Sequence, residues 1–392
     1  MLASKVEPHG QLSGLRRQWV LTTIAYTIVT GGAALVLYYT WQPGSALRWL
    51  VIAVPIVVYV LAIVGRRLPD NCPDDKGPLY PDLGLANHLS ILRGVLLAYL
   101  AGFIFSPRPT GGLAWAAGVL YTGAIVIDYA DGIVARLTRH PSRLGAWLDT
   151  QFDALGILIA PALGVWWGQL PPWYLLVALA YYLFIGGSWM RARRQLPVYD
   201  LPPSAIRRPL AGIQMGFISA VLWPVLTPPL TWWMATLVMI PFIAGFLRDW
   251  LVVSGQLDVR SEHYRAASQR IGVLFGHWLP VALRAGIGAA LVALGWQVIR
   301  VGSLAPYDAL SPFTVGWIGL LMLLAISGIL GRLAAALLAI FVGLAMVRLG
   351  LHPAAWVVLG CSLSLMLLGT GAWSIWQPEE IFLQSHYGGR EE

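Results

Sequence analysis

The chain reads as an all-α, polytopic membrane protein with about ten transmembrane helices. Of its 392 residues, 58% are hydrophobic and 11% charged, where soluble domains carry about 25% charged residues. Its mean hydropathy is +0.69. Apolar runs near the ~20 residues that cross a bilayer recur along the whole length. Many of the aromatic residues stand at the ends of those runs, among them Trp49, Trp173, Trp232, Trp233 and Trp278. Indole rings favour the headgroup level, so this placement marks interfacial belts.

The runs lie near residues 18–40, 47–65, 85–105, 112–137, 146–168, 173–190, 209–227, 231–253 and 279–300, followed by a crowded apolar end from about 313 to 376. That end divides into three spans at Arg332 and at His352–Pro353. The first run starts late, is long and lacks a small-residue cleavage pattern, so it is expected to remain as a helix and not to be removed as a signal peptide. Two polar breaks set three blocks. RRLPDNCPDDKGP, rich in Pro and Asp, closes a block of two spans over 1–78. SGQLDVRSEHYRAASQRIG separates a six-span block, 79–256, from a block of about four spans, 257–392.

The net charge of +8 follows membrane topology and is no nucleic-acid signature, because the basic residues sit in the loops between spans. A cytoplasmic N-terminus places Lys5, Arg16, Arg17, Arg66, Arg67, Lys76, Arg139, Arg143, the Arg191–Arg208 cluster, Arg260, Arg265 and Arg270 inside, and leaves few such as Arg48 and Arg108 outside. That asymmetry sets the orientation. Cys72 and Cys361, far apart on different segments, offer neither a disulfide framework nor metal-ligand spacing.

One apolar stretch holds four aspartates, Asp128, Asp131, Asp149 and Asp153, in the pattern D-x2-D-G-x2-A-R-x8-G-x3-D-x3-D. Carboxylates at membrane depth are costly and mark sites for metal, protons or substrate. Spacings of three and four put each pair on one helical face. The polar TRHPSR between the pairs makes the two spans a tight antiparallel hairpin, with Asp128 level with Asp153 and Asp131 level with Asp149. The two layers then stand about one helical turn apart at the 1.5 Å rise. Such an all-oxygen box suits one or two hard divalent ions, Mg²⁺ or Mn²⁺. Gly132, Ala135 and Gly145 leave room for a flat ligand to approach the backbone, and Arg136 is placed to hold a diphosphate. Two other readings stay open for the same residues: acids paired with Arg136 and Arg139, and a cation-transport site.

The whole pattern resembles the signature of the CDP-alcohol phosphotransferases, integral enzymes that make phospholipids from CDP-diacylglycerol. Every fixed position is present: Asp128, Asp131, Gly132, Ala135, Arg136, Gly145, Asp149 and Asp153. The preceding span opens LANHLSILRG, similar to the N-x-x-T-x-x-R start of that family's first core helix, with Asn87, Ser90 (a hydroxyl kept in place of Thr) and Arg93 on one face. The resemblance covers about 79–256 and implies a six-helix core.

The resemblance further implies two metal ions bound by Asp128, Asp131, Asp149 and Asp153, with Asp153 also deprotonating the acceptor hydroxyl. Gly132, Ala135, Arg136 and Gly145 would line the CDP pocket, and Asn87, Ser90 and Arg93 would reach the phosphates. Helix–helix hydrogen bonding is the other reading of those last three. A homodimer and a cytoplasmic active site are implied too. The expected reaction moves a phosphatidyl group from CDP-diacylglycerol to an alcohol and releases CMP.

For the acceptor, Arg191, Arg194, Arg207 and Arg208 form a basic cluster suited to a phosphorylated alcohol, glycerol 3-phosphate first and inositol phosphate next. Topology alone also enriches such loops in Arg. Serine and an ether-linked CDP lipid fit the sequence as well. Arg248 and Asp249 are read as an end-of-helix ion pair. In the last block, LRAGIGAALVALGWQVI, GILGRLAAALLAIFVGLAMV and LLGTGAWSI are similar to the small four-helix DoxX-like membrane family. No activity is assigned from that likeness, and His277, Arg284 and His352 are read as interfacial or packing residues. The rival readings of the whole chain are a cation carrier using the carboxylate box and a scaffold that keeps the core without catalysis. The carrier gives no reason for Gly132, Ala135, Arg136 and Gly145 at their fixed offsets.

Overall fold

The computed structural model describes residues 8–74, 77–202, 207–259, 261–303, 305, 307–349 and 352–376. Its helices are α1 Pro8–Thr40, α2 Pro43–Arg66, α3 Gly84–Ala101, α4 Ala116–Leu137, α5 Arg143–Trp166, α6 Leu175–Arg193, α7 Arg207–Leu222, α8 Leu230–Val253, α9 Glu262–Val273, α10 Leu279–Val301, α11 Pro312–Ser327, α12 Gly331–Leu349 and α13 Pro353–Leu368. Among the described residues the only β-type pairing is an isolated bridge between Ile329 and Trp376. Among the described residues, eight helical stretches are long and apolar enough to cross a membrane, and four shorter apolar helices, on α7 and α11 to α13, accompany them. The estimate of about ten lies between the eight long helices and the twelve reached when the four shorter ones are added, and those four fall below the usual spanning length. Large apolar side chains such as Leu21, Ile28 and Leu35 of α1 are exposed, which only a hydrocarbon solvent makes favourable in such number. Pro55, Pro161 and Pro241 sit inside α2, α5 and α8, as membrane helices tolerate.

The chain forms two compact units. The first comprises Met1–Gly187 and Phe217–Ile243, the second Ser188–Gly216 and Ala244–Glu392. In the first unit α3 is central and packs against α2, α4 and α5, while α1 packs on α2. Gly94 of α3 allows a close approach: a Cβ there would meet the Phe152 ring at 2.8 Å and Val60 at 3.0 Å. Burial of Ile91, Leu97, Leu100, Leu144, Leu148 and Phe152 completes this core. The N-terminal helices are tied in by Nε1 of Trp49, which donates to the Tyr99 carbonyl at 2.9 Å, and by Thr30 Oγ1, 2.9 Å from the Tyr99 hydroxyl.

In the second unit α10 to α13 enclose Ile287, Leu321, Ala325, Leu338, Val342 and Leu365. Buried Arg284 closes one part of it. Its guanidinium donates to the carbonyls of Ile326 (2.7 Å), Thr370 (3.3 Å), Ala372 (2.8 Å) and Trp373 (3.1 Å). Carbonyl dipoles thus satisfy a cation at membrane depth. His352 caps α13, its Nδ1 accepting from the Ala354 amide at 3.2 Å, and the His277 carbonyl accepts from the Ala372 amide at 3.4 Å.

Candidate active site

The four aspartates stand on neighbouring helices as one hairpin, Asp128 and Asp131 on α4, Asp149 and Asp153 on α5. Ser142 starts α5 as its N-cap, its Oγ accepting from the Gly145 amide at 3.0 Å. Asp128, Asp149 and Asp153 each bring a carboxylate oxygen within 4.8 Å of the others. Asp131 is not one of this trio. It is buried, and its Oδ2 accepts from the Ser90 hydroxyl at 2.8 Å.

α3 supplies the remaining polar face. Arg93 is 3% exposed at the side chain, against 25%, 51% and 49% for Asp128, Asp149 and Asp153. Its Nη1 lies 2.5 Å from Asp128 Oδ1 and 2.9 Å from Asp149 Oδ1, and its Nη2 contacts Asp153 Oδ1. Asn87 lies at the lower end of the same face. Its Nδ2 donates to Asn71 Oδ1 at 2.9 Å and to the Leu83 carbonyl at 2.7 Å, and its Oδ1 accepts from Ser142 at 3.1 Å.

The remaining sequence-derived positions divide by environment. A Cβ on Gly132 would meet only Arg136 Nη1, at an ordinary 3.6 Å, so space is open there. Ala135 is half-buried and Arg136 exposed in the last turn of α4. Gly145 differs: Asn87 Oδ1 takes the space that a Cβ would occupy. Its small size serves helix approach in this structure.

The basic residues expected at an acceptor site belong to the second unit. Arg207 is bidentate on Asp249 at 2.8 and 3.3 Å, and Arg248 contacts the same carboxylate. Arg191 donates from Nη2 to the carbonyls of Pro197 (2.9 Å) and Ser254 (3.1 Å). Arg194 is exposed. The side chain of Arg208 lies outside the described residues.

The sequence reading missed the loop after α2. Asn71 donates to the Asp82 carbonyl at 2.7 Å as well as receiving Asn87. Tyr80 stacks on His140 with ring centroids 3.8 Å apart and donates to the Pro141 carbonyl at 3.2 Å. The loop therefore grips the α4–α5 turn. Its Pro, Asp and Gly content signalled a loop, but nothing local named its partner.

An all-carboxylate donor set fits a hard divalent cation, and the buried guanidinium amid the three acids shows that this place holds positive charge. The Asp128–Asp149–Asp153 trio could therefore hold a metal ion. Residues 83–243 match the model of the family described as CDP-alcohol phosphatidyltransferase. That segment belongs to the CDP-alcohol phosphatidyltransferase family. Among curated proteins, the putative cardiolipin synthases of Mycobacterium tuberculosis and Mycobacterium bovis are each 31% identical over 144 residues, 36% of this chain and 65% of the relative. A CDP-diacylglycerol–glycerol-3-phosphate 3-phosphatidyltransferase of Cereibacter sphaeroides is 32% identical over 93 residues, 24% of this chain and 41% of the relative. The chain thus spans just under two thirds of the mycobacterial relatives. No solved structure matches it. The family match lies inside the six-span block 79–256 and includes the whole aspartate signature.

Proposed function

We propose that the protein transfers a phosphatidyl group from CDP-diacylglycerol to an alcohol acceptor, releasing CMP, in phospholipid synthesis. The observation that carries this reading is the carboxylate trio inside a CDP-alcohol phosphatidyltransferase segment. Asp128, Asp149 and Asp153 would hold divalent ions, with Asp131 joining on rotation away from Ser90. Two Mg²⁺ or Mn²⁺ are the proposed complement. When bound, they supply charge neutralisation on the diphosphate.

Asp153, half-exposed at the rim of the trio, takes the proton from the acceptor hydroxyl. The acceptor oxygen bonds to the lipid-linked phosphorus as the bond from that phosphorus to the CMP oxygen breaks. The open space at Gly132, with Ala135 and Arg136 beside it, would take the cytidine diphosphate. Arg93 would reach its phosphates. Gly145, Asn87 and Ser90 would act by setting the approach of α3 to the hairpin.

The proposed acceptor is glycerol 3-phosphate, named for the Cereibacter sphaeroides relative, a phosphate that the exposed Arg194 is proposed to attract. Inositol phosphate is the next candidate. The longer mycobacterial match favours a second reading, in which the product is cardiolipin and the acceptor hydroxyl belongs to a glycerol headgroup on a lipid. We further propose a cytoplasmic N-terminus and active site, a homodimer, and a catalytic block over 79–256 flanked by added membrane blocks.

Purified protein in detergent, given labelled CDP-diacylglycerol, Mg²⁺ and a panel of alcohols, tests the function. CMP release that needs one alcohol and is lost in Asp153→Asn is the expected result. Metal flux through proteoliposomes without CMP release would replace the transferase with the carrier.

A further inference from the structure

We propose that Arg93 is a built-in counter-ion of the carboxylate trio, which a divalent cation must displace, and that the freed guanidinium then turns to the nucleotide diphosphate. The second half rests on the phosphatidyl-transfer reading; the first does not. Three oxygens of Asp128, Asp149 and Asp153 converge on two nitrogens of one guanidinium. These are the same three groups that come within 4.8 Å of one another as a cation site. Mg²⁺ needs oxygens at about 2.1 Å, so it claims the lone pairs that the guanidinium now uses. Like charges at that distance repel, and the two cations exclude each other from the shared oxygens.

The burial of Arg93 fits a resident cation better than a residue waiting for substrate. A side chain that only met a ligand in the open part of the site would share the half-exposure of Asp149 and Asp153; this one is 3% exposed. Its position also explains how three acids tolerate one another in the metal-free protein, because unpaired carboxylates at membrane depth are costly. Ser90, one turn before Arg93, does the same for the fourth acid by donating to Asp131. α3 thus neutralises or satisfies all four acids from one face. Exchange then couples the two ligands. Metal releases an anion-binding guanidinium, and a diphosphate that captures it keeps it off the carboxylates, so each tightens the other.

The test is Mn²⁺ binding to the full-length protein in detergent, read from the loss of the free-Mn²⁺ electron paramagnetic resonance signal, together with thermal unfolding. Wild type, Arg93→Gln and Arg93→Lys are compared. Arg93→Gln is expected to half-saturate at an about tenfold lower Mn²⁺ concentration, since it removes the competing charge. Its metal-free unfolding temperature is expected to fall and its Mn²⁺-induced rise to exceed that of wild type. Arg93→Lys, which keeps the charge, should stay near wild type in Mn²⁺ binding. CDP should tighten Mn²⁺ binding in wild type but not in Arg93→Gln.

Equal or weaker Mn²⁺ binding by Arg93→Gln overturns the proposal, and so does tightening by Arg93→Lys as large as by Arg93→Gln. If Arg93→Gln has no thermal transition without metal, saturating Mn²⁺ must restore one; failure to do so also overturns it. CMP release by wild type is scored separately. Transfer activity with unaltered Mn²⁺ binding in Arg93→Gln rejects the exchange and leaves the function standing, whereas no Mn²⁺ binding by wild type counts against both.

Discussion

A Cβ added to Gly145 would stand 2.8 Å from Oδ1 of Asn87, so the α5 backbone and the α3 side chain share one space. Asn87 has little freedom to yield, because Asn71, the Leu83 carbonyl and Ser142 already hold it. Gly145→Ala is therefore expected to push α5 from α3 at the turn end of the hairpin. Overpacking of this kind costs about 1–3 kcal/mol. Thermal unfolding in detergent should show a lower midpoint, and CMP release should fall with it. Asn87→Ala should restore part of the Gly145→Ala loss in the double variant, because it removes the atom that clashes.

Ser90 and Asp131 form the second contact of this kind. Ser90→Ala removes the hydroxyl donor and leaves a buried carboxylate short of a partner, at a cost of about 1–3 kcal/mol. Ser90→Thr keeps the donor and is expected to unfold and turn over like wild type. Equal losses in both variants would show that shape, and not the hydroxyl, is what α3 supplies there.

Arg207 and Arg194 should separate in kinetics. Arg207 is committed to Asp249, so Arg207→Gln is expected to lower stability with little change in the acceptor KM. Arg194 is exposed, and Arg194→Gln is expected to raise the KM for a phosphorylated acceptor several-fold while leaving the unfolding midpoint in place. Titrations of glycerol 3-phosphate at fixed CDP-diacylglycerol measure both. An acceptor KM moved by Arg207→Gln alone would reverse the assignment.

Arg284 organises the second unit through backbone carbonyls and the Ser374 hydroxyl, 3.4 Å from its Nη1. Its four backbone acceptors lie in the last turn of α11 and on residues 370–373. The Leu330 amide also donates to the Trp376 carbonyl at 3.0 Å. A lysine offers a compact point charge and cannot span that arc of acceptors. Arg284→Lys is accordingly expected to loosen the segment after α13, read as faster proteolytic cleavage within residues 369–376. Cleavage at the wild-type rate would show that the carbonyl bonds are dispensable.

Much of the site was legible because its residues recur at helical spacing. Asp128, Asp131, Asp149 and Asp153 declare two faces by offsets of three and four, and TRHPSR declares the turn that brings them together. Charge asymmetry and run length likewise mark spans without knowledge of their neighbours. The division of labour among the acids was not legible. Offsets place Asp131 on the face of Asp128, but they do not show that Ser90, 41 residues away, donates to its carboxylate. Gly145 read as room for a ligand, and the occupant of that room was Asn87.

Periodicity and composition are properties of a single segment, so the sequence alone determined the helices, the membrane and the acidic hairpin. Which cation faces those acids, and which small residue admits a neighbour instead of a substrate, depended on contacts 40 to 60 residues apart in the chain, such as Arg93 with Asp149 at 56 and Asn87 with Ser142 at 55. Only the packing of α3 against α4 and α5 decided them, because a guanidinium or an amide takes its partner from whatever oxygen the neighbouring helix brings within reach.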